Sequence, residues 1–384
     1  MKLTIGVMFG GESVEHEISI ISAIQAMEAI DKERYDVIPI YISKEKHLYS
    51  GEQLKNLNAY KDLEKVKKTA TLITLTRISN KVVVKALKKG VFFKSKNIDL
   101  MIPIVHGSNT EDGTIAGYLQ TLGVPFVGSD VIASGVGQDK IFFKHVLENS
   151  GLPIVPWFWF YGKNYELNKE NILIKAKDLG FPVVVKPATL GSSIGIVIAH
   201  NAQEFDDAVL SAMMYDKKIL VEKKVDDLLE INCSTLHQKG EYKASVCEEV
   251  MKTDEILSYQ DKYEGSSKSK GMASTSRVIP ANISQEMNAE IQKLALQTSE
   301  IIGVSGVVRI DFLVDKQTDK VYINEINTIP GSLSFYLWKE DKIAFDQLMD
   351  ILIESAIANL RERERMIFSY ESNLLANFKK GGTK

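Results

Sequence analysis

Two short runs, Arg309-Ile310-Asp311 and Asn324-Glu325-Ile326-Asn327, bring together the residue types that hold a metal against a phosphate. Both lie in strand-like stretches, VVRIDFLVD and KVYINEIN, separated by the turn-like Lys316-Gln317-Thr318-Asp319. Side chains alternate faces along a strand, so Arg309 and Asp311 share one face, as do Glu325 and Asn327. A hairpin would gather two carboxylates and an amide oxygen beside a guanidinium. Such charges among apolar strand residues are costly to bury unless something compensates them. Hard oxygen donors suit Mg²⁺, which takes few protein ligands and completes its shell with water and phosphate. The competing reading is a solvated hairpin face carrying a salt bridge; phosphate-type signals upstream weigh against it.

Gly191-Ser192-Ser193-Ile194-Gly195 lies between the strand-like PVVVKPA and IGIVIA, where backbone N–H groups and hydroxyls can close around phosphate oxygens. It is no P-loop, because no Gly-Lys-Ser/Thr follows and no helix starts there. Lys186, emerging from an apolar strand into Pro187, and Lys140, on a helix after Ser129, either meet an anion or snorkel to the surface. Glu222 ends the strand ILVEK and Glu230 follows shortly after, a linker whose backbone and carboxylates suit an adenosine. Residues 258–280 contain Tyr259, Lys262, Tyr263, Lys268, Lys270 and Arg277 among Gly and Ser. A loop so long and cationic reads as a lid over transferring phosphates, against the alternative of a disordered surface loop. In the N-terminal part, Glu15 follows Gly10-Gly11 at a strand end opening onto a helix, where it is placed to hold a substrate amine. His16 sits between two glutamates without the ligand set of a metal site. His106 is either a hydrogen-bonded structural histidine or a substrate contact. No Ser-His-Asp or Cys-His nucleophile set is apparent.

The elements that must position these groups follow from the patterning. LTIGVMFG, a helix through Ile20, Ile24 and Met27, and VIPIYI alternate as βαβ, as do LMIPIVHG, a helix around Ile115 to Leu122, and VPFVG; this implies an α/β region with a parallel sheet. A second unit starts near Ser129, with a helix from about Gln138 to Asn149. A third, strand-rich and α+β in character, begins near Lys223. Its helices run from Ser284 to Ile302 and through Leu348, Leu352 and Ile357, and Asn377 to Lys384 reads as a frayed tail. At 384 residues two or three domains are expected, and the boundaries fall at 1–128, 129–222 and 223–384. A formal net charge of −3 offers no basis for non-specific binding to nucleic acid or an anionic membrane. No apolar run approaches the ~20 residues that span a bilayer. The N-terminus reads as a first strand and not a signal peptide. Cys233 and Cys247 are the only cysteines, and two core thiols in a reducing cytosol are expected ahead of a disulfide.

Taken in order, GGESVEHEIS, HGSNTEDGTIAG, Gln138-Asp139-Lys140, VVKPATLGSSIG, LVEKKV, SYQDKY, RIDF and NEINTIPG resemble the D-alanine–D-alanine ligase family of the ATP-grasp superfamily over nearly the whole chain. The resemblance implies a three-domain ATP-grasp architecture with ATP between the central and C-terminal units. It implies Lys140, Lys186 and Lys262 at the phosphates and Glu222 and Glu230 at the adenosine, with Ser193, Lys223 and Val225 also in the ATP site. Asp311, Glu325 and Asn327 would hold two Mg²⁺ (or Mn²⁺). Arg309 and the Gly331 N–H would face a developing oxyanion. Glu15, linked through Ser192 to Tyr263, would bind the first amine, and His106, Ser334, Tyr336 and Leu337 would complete the substrate site. The partners so implied are ATP, D-alanine and a second copy in a cytoplasmic homodimer, for a peptidoglycan precursor.

Three positions depart from the family pattern. Thr110 replaces a glycine before Glu-Asp-Gly, and Leu190 stands where a charged residue is common. After Gly331 comes Ser332-Leu333-Ser334-Phe335-Tyr336-Leu337-Trp338 where the family carries a stretch whose serine helps bind the acceptor carboxylate. Tyr336 occupies that place, either substituting its hydroxyl or filling core space. Beside D-alanyl-D-alanine formation stand a ligase with another amino-acid acceptor, an ATP-grasp phosphotransferase, and an ATP-binding module without catalysis.

Overall fold

The computed structural model describes residues 2–88, 93–250 and 277–370. Among these residues the strands form three sheets. The first contains β1 (Leu3–Gly10), β2 (Tyr35–Ile42), β3 (Leu48–Ser50), β4 (Thr71–Ile78), β5 (Lys81–Ala86), β6 (Lys96–Ile98) and β7 (Leu100–Ile104), in the order β6-β5-β4-β3-β2-β1-β7. Its β2-β1-β7 part is parallel, as the βαβ alternation requires. The remainder is antiparallel, so the expected parallel sheet is in fact mixed. The reason is local: β4 and β5 meet through a two-residue turn at Ser79, whose φ is +53°, and a connection that short cannot cross over to make a parallel pair. β1 is buried along nearly its whole length, the continuous apolar signature of a strand covered on both faces.

The second sheet, β8 (Trp157–Tyr161), β9 (Val183–Pro187), β10 (Val197–Ala199) and β11 (Lys218–Lys223), is antiparallel with order β10-β9-β11-β8. The third holds β12 (Leu228–Gln238), β13 (Glu241–Val250), β14 (Arg277–Val278), β15 (Val307–Asp315) and β16 (Lys320–Asn327), in the order β14-β13-β12-β15-β16. β15 and β16 flank the expected turn at residues 316–319. Alternating burial along β15, with Val308, Ile310, Phe312 and Val314 inside, turns Arg309, Asp311 and Leu313 toward the opposite face. The apolar face packs against the helix Gln285–Ile302 in one continuous core.

The helix expected from about Gln138 to Asn149 runs Lys140–Asn149, and a separate helix, Val131–Gln138, precedes it across Asp139. Asp139 is extended and its side chain accepts from the Ile141 and Phe142 N–H groups, capping the second helix. Cys233 and Cys247 face each other across β12 and β13, both buried and both free thiols. Ser284 caps the helix after it, and the last described helix runs Phe345–Glu364. The expected tail 377–384 lies outside the described residues.

Candidate active site

One cavity of about 400 Å³ opens between the three sheets, and most of the chemistry-bearing residues line it. Glu15, His106, Lys140, Lys186, Ser192, Ser193, Glu222, Lys223, Val225, Glu230, Arg309, Asp311, Glu325, Asn327 and Gly331 all do so. Ser334 and Leu337 are fully buried in the packing beneath it, and Tyr336 reaches it only through a hydrogen bond. Lys262 and Tyr263, and with them most of the expected lid, lie outside the described residues.

At one end stands Glu15, just before the helix His16–Ala29. Ser192 Oγ donates to Glu15 Oε1 from the Gly-Ser-Ser loop. Ser192 and Ser193 hold φ values of +56° and +59°, left-handed backbone that costs on the order of 1 kcal/mol or more per residue and persists where the surroundings demand it. Gly107 has φ +79°, and a Cβ there would sit 2.8 Å from Glu15 Oε2, so the glycine leaves the carboxylate its space. The Thr110 departure has a similar explanation. Its Cγ2 would lie 2.3 Å from a Cβ on Gly11, whose φ is +103°, and its hydroxyl donates to the His106 and Gly107 carbonyls at 2.9 Å. His16 is structural, bridging the Gly11 carbonyl and the Tyr41 hydroxyl.

At the other end, β15 and β16 pair Asp311 with Glu325 and Arg309 with Asn327. Arg309 clamps Asp311 bidentately, Nε to Oδ1 at 2.6 Å and Nη2 to Oδ2 at 2.8 Å. Asn327 Nδ2 donates to Asp311 Oδ2 at 3.3 Å. Lys140 spans the gap, its Nζ 3.2 Å from Glu325 Oε2 and donating to the Leu190 carbonyl at 2.9 Å. Burial works against charge on Lys140, yet Glu325 pushes its pKa up. Among the described residues no cluster of three or more His, Cys, Asp or Glu stands ready for a metal. Two carboxylates and one amide oxygen make no all-protein cage. They fit Mg²⁺, whose remaining positions go to water and phosphate.

Beneath the central sheet, Glu222 accepts two buried cations. Lys144 Nζ lies 2.5 Å from its Oε1, and Lys186 pairs with Oε2. Burial alone would raise the Glu222 pKa; Lys144 and Lys186 override it and hold the carboxyl at about 2. Lys223 turns its ammonium to the Gly180 carbonyl at 2.8 Å.

Sequence reasoning missed two participants. Lys144 lies one helical turn beyond Lys140, a spacing that puts both on one face. Glu111, buried in the HGSNTEDG run, lines the cavity and accepts from Gly107 N at 3.1 Å, Ile329 N at 2.8 Å and Thr328 Oγ1 at 3.2 Å. It thereby ties the loop after β7 to the loop after β16. Burial first, and the Glu15 charge second, raise its pKa to about 7. A folded state that keeps a proton which the unfolded chain releases is favoured at low pH. Stability of the ligand-free protein is therefore expected to fall by about 3 kcal/mol as pH rises from about 4.5 to about 7, then level off. Glu111→Gln should flatten that slope. Urea unfolding of both proteins at about pH 5 and about pH 7.5 checks this, and parallel profiles would refute it.

The arrangement sets cations and hard oxygen donors around one end of the cavity and an amine-sized carboxylate at the other. That combination suits the activation of a carboxylate by a nucleotide phosphate. The comparisons agree with this chemistry. The family model described as D-ala D-ala ligase N-terminus matches residues 4–129, and D-ala D-ala ligase C-terminus matches residues 146–354. The D-alanine--D-alanine ligase of Thermosipho melanesiensis is 37% identical over 97% of this chain and 98% of its own length. That of Clostridium acetobutylicum is 36% identical over 93% and 98%. Among solved structures, the D-alanine-D-alanine ligase of Coxiella burnetii superposes with a TM-score of 0.79 at 29% identity, covering 95% of this chain and 96% of that one. The VanG D-Ala:D-Ser ligase of Enterococcus faecalis gives 0.77 at 27% identity, covering 93% and 100%.

Proposed function

Because the chain belongs to the D-alanine–D-alanine ligase family, we propose that it joins two D-alanines at the expense of ATP, through a D-alanyl phosphate, to make a peptidoglycan precursor. The observation that carries this reading is a single cavity holding both the Glu15–Ser192 pair and the Arg309, Asp311, Glu325 and Asn327 cluster. In this reading the first D-alanine docks its ammonium on Glu15, which Ser192 orients. Its carboxylate oxygen attacks the γ-phosphorus of ATP, a new P–O bond forms, and the bond to ADP breaks. A poor leaving group is thus converted into phosphate. The amine of the second D-alanine then attacks the acyl carbon, the tetrahedral intermediate expels phosphate, and the nitrogen loses its proton.

Lys140 and Lys186 neutralise phosphate oxygens beside the Ser193 loop, joined by Lys262, while Glu222, Lys223, Val225 and Glu230 hold the adenosine. Asp311, Glu325 and Asn327 hold two Mg²⁺, which supply charge neutralisation at the transferring phosphoryl group. Arg309 and the Gly331 N–H stabilise the oxyanion. His106, with burial holding its pKa down so that the neutral ring hydrogen-bonds Ser22 Oγ at 3.2 Å, supports the substrate wall. Ser22 also accepts from Ser332 N at 3.0 Å, which steadies the turn after Gly331. Ser334 and Leu337 shape that wall from below. Tyr263, which lies outside the described residues, belongs to the same reading as the partner of the Glu15 and Ser192 pair. Domains at 1–128, 129–222 and 223–384, a homodimer and a cytoplasmic location belong to the same reading. Among the described residues no helix is long and apolar enough to cross a membrane.

Incubation with ATP, Mg²⁺ and D-alanine should release ADP, phosphate and one dipeptide, identified by mass. A stable phosphorylated amino acid would instead indicate a phosphotransferase, and ATP binding without turnover would indicate a non-catalytic module.

A further inference from the structure

The turn after Gly331 has the opposite hand from the one its residues prefer. Ser332, Leu333 and Ser334 all hold left-handed backbone, with φ of +50°, +54° and +49°. In that region the Cβ of an L-residue crowds the following carbonyl, and three such residues in succession persist only where their surroundings over-determine them. The turn's own backbone bonds do not select this hand. Leu333 N donates to the Pro330 carbonyl at 2.8 Å, and Phe335 N donates to the Ser332 carbonyl. Turns of either hand make bonds of this kind.

The selecting contacts come from far away in the chain. The helix His16–Ala29 presents Ser22 and Gln25, three residues apart and so on one face. Ser22 Oγ accepts from Ser332 N at 3.0 Å, and Ser332 Oγ donates to Gln25 Oε1 at 2.6 Å. One helix therefore grips both the main chain and the side chain of the first left-handed residue. His106 Nε2 lies 3.2 Å from Ser22 Oγ and fixes that hydroxyl. Leu333 is buried in one core with Ile20, Ala23 and Ile24 of the same helix. Past the turn the chain is anchored on the third sheet. There the Tyr336 hydroxyl donates to Glu248 Oε2 at 3.1 Å, and Trp338 Nε1 donates to Ser234 Oγ at 3.0 Å.

Gly331 lines the cavity and immediately precedes the gripped residue. Peptide units are planar, so a change at Ser332 swings the units beside it. Relaxation of Ser332 to the right-handed region would thus carry the Gly331 N–H away from its place. In the ligase reading that N–H serves the oxyanion alone, while other residues hold ATP, the metals and the first amine.

We propose that Gln25, acting through Ser332, is a positioning residue for the second half of the reaction, holding the left-handed turn that aims the Gly331 N–H at the oxyanion formed when the acceptor amine attacks the acyl carbon. This rests on the ligase reading above. The test compares two ligands of the full-length protein. One is a phosphinate analogue of the dipeptide, whose tetrahedral anionic phosphorus mimics the intermediate; the other is the planar product, D-alanyl-D-alanine. Gln25→Leu keeps the volume and removes the acceptor oxygen. It should weaken the phosphinate about tenfold and slow dipeptide formation to match, with product affinity and KM for ATP within about twofold of the parent. Gln25→Glu keeps an oxygen for Ser332 and should restore phosphinate binding to within about threefold. Should Gln25→Leu not fold, Ser332→Ala removes the same bond from its other end and is read in the same way. Unchanged phosphinate affinity in the folded variant overturns the positioning role. Equal weakening of phosphinate and product does so too, since it marks a general loosening of the site, as does equal loss in Gln25→Leu and Gln25→Glu. Each of these leaves the ligase reading standing, whereas no dipeptide from the parent overturns both.

Discussion

Glu325→Gln is expected to slow ATP-driven dipeptide formation by a factor on the order of 10³. The amide keeps the volume and one hydrogen-bonding oxygen of the carboxylate but removes its charge, so it neither grips a hard cation nor compensates Lys140 at 3.2 Å. Lys140 keeps the Leu190 carbonyl, so the stability loss should stay within about 2 kcal/mol. Asp311→Asn should be as slow but less stable, because Arg309 loses one arm of a bidentate, mostly buried pair. Steady-state rates over a Mg²⁺ titration, alongside urea unfolding, separate the two effects. Rates near the parent's in a folded Glu325→Gln would remove the metal assignment at this pair of strands.

Glu222→Gln should give the largest loss of stability, about 3–5 kcal/mol. Lys144 and Lys186 are buried beside it and share it as their counter-charge. Without the carboxylate two ammonium groups would remain together in a low-dielectric interior. The folded protein holds the Glu222 carboxyl at about 2, below its ordinary value near 4.5, so its stabilisation is present above about pH 4.5 and fades as pH falls toward about 2. Adding Lys144→Met to Glu222→Gln removes one of the orphaned charges and should recover about 2 kcal/mol. Urea midpoints of the parent, the single and the double variant check this. A single variant as stable as the parent, or no recovery in the double, would show that the triad carries little of the fold's stability.

The two strands that carry Arg309, Asp311, Glu325 and Asn327 were legible because a hairpin is a local structure. A period of two sets the faces and four turn residues set the length, but a bulge between Asp311 and Phe312 shifts the register by one residue, so that Asp311 faces Glu325 where the turn alone would place Asn324. Lys140, Lys186, Ser192 and Glu222 were legible as polar types at a helix start, at strand ends and in a Gly-Ser turn, all on or beside the antiparallel second sheet. The mixed order of the first sheet was harder to read, since apolar runs such as β4 and β5 look alike whether they pair parallel or antiparallel.

From the amino-acid order alone came the collinear set of polar motifs, the alternation that buries their neighbours, and hence the family and the chemistry it performs. Tertiary structure alone decided which distant charges share a solvent-free space. Glu222 meets Lys144, Glu111 clamps the loop at Ile329, and Glu248 takes the only proton of Tyr336. Residues far apart in the chain come together only when the sheets pack, and the worth of a charge depends on the dielectric and the partners it finds there. No local pattern encodes either one.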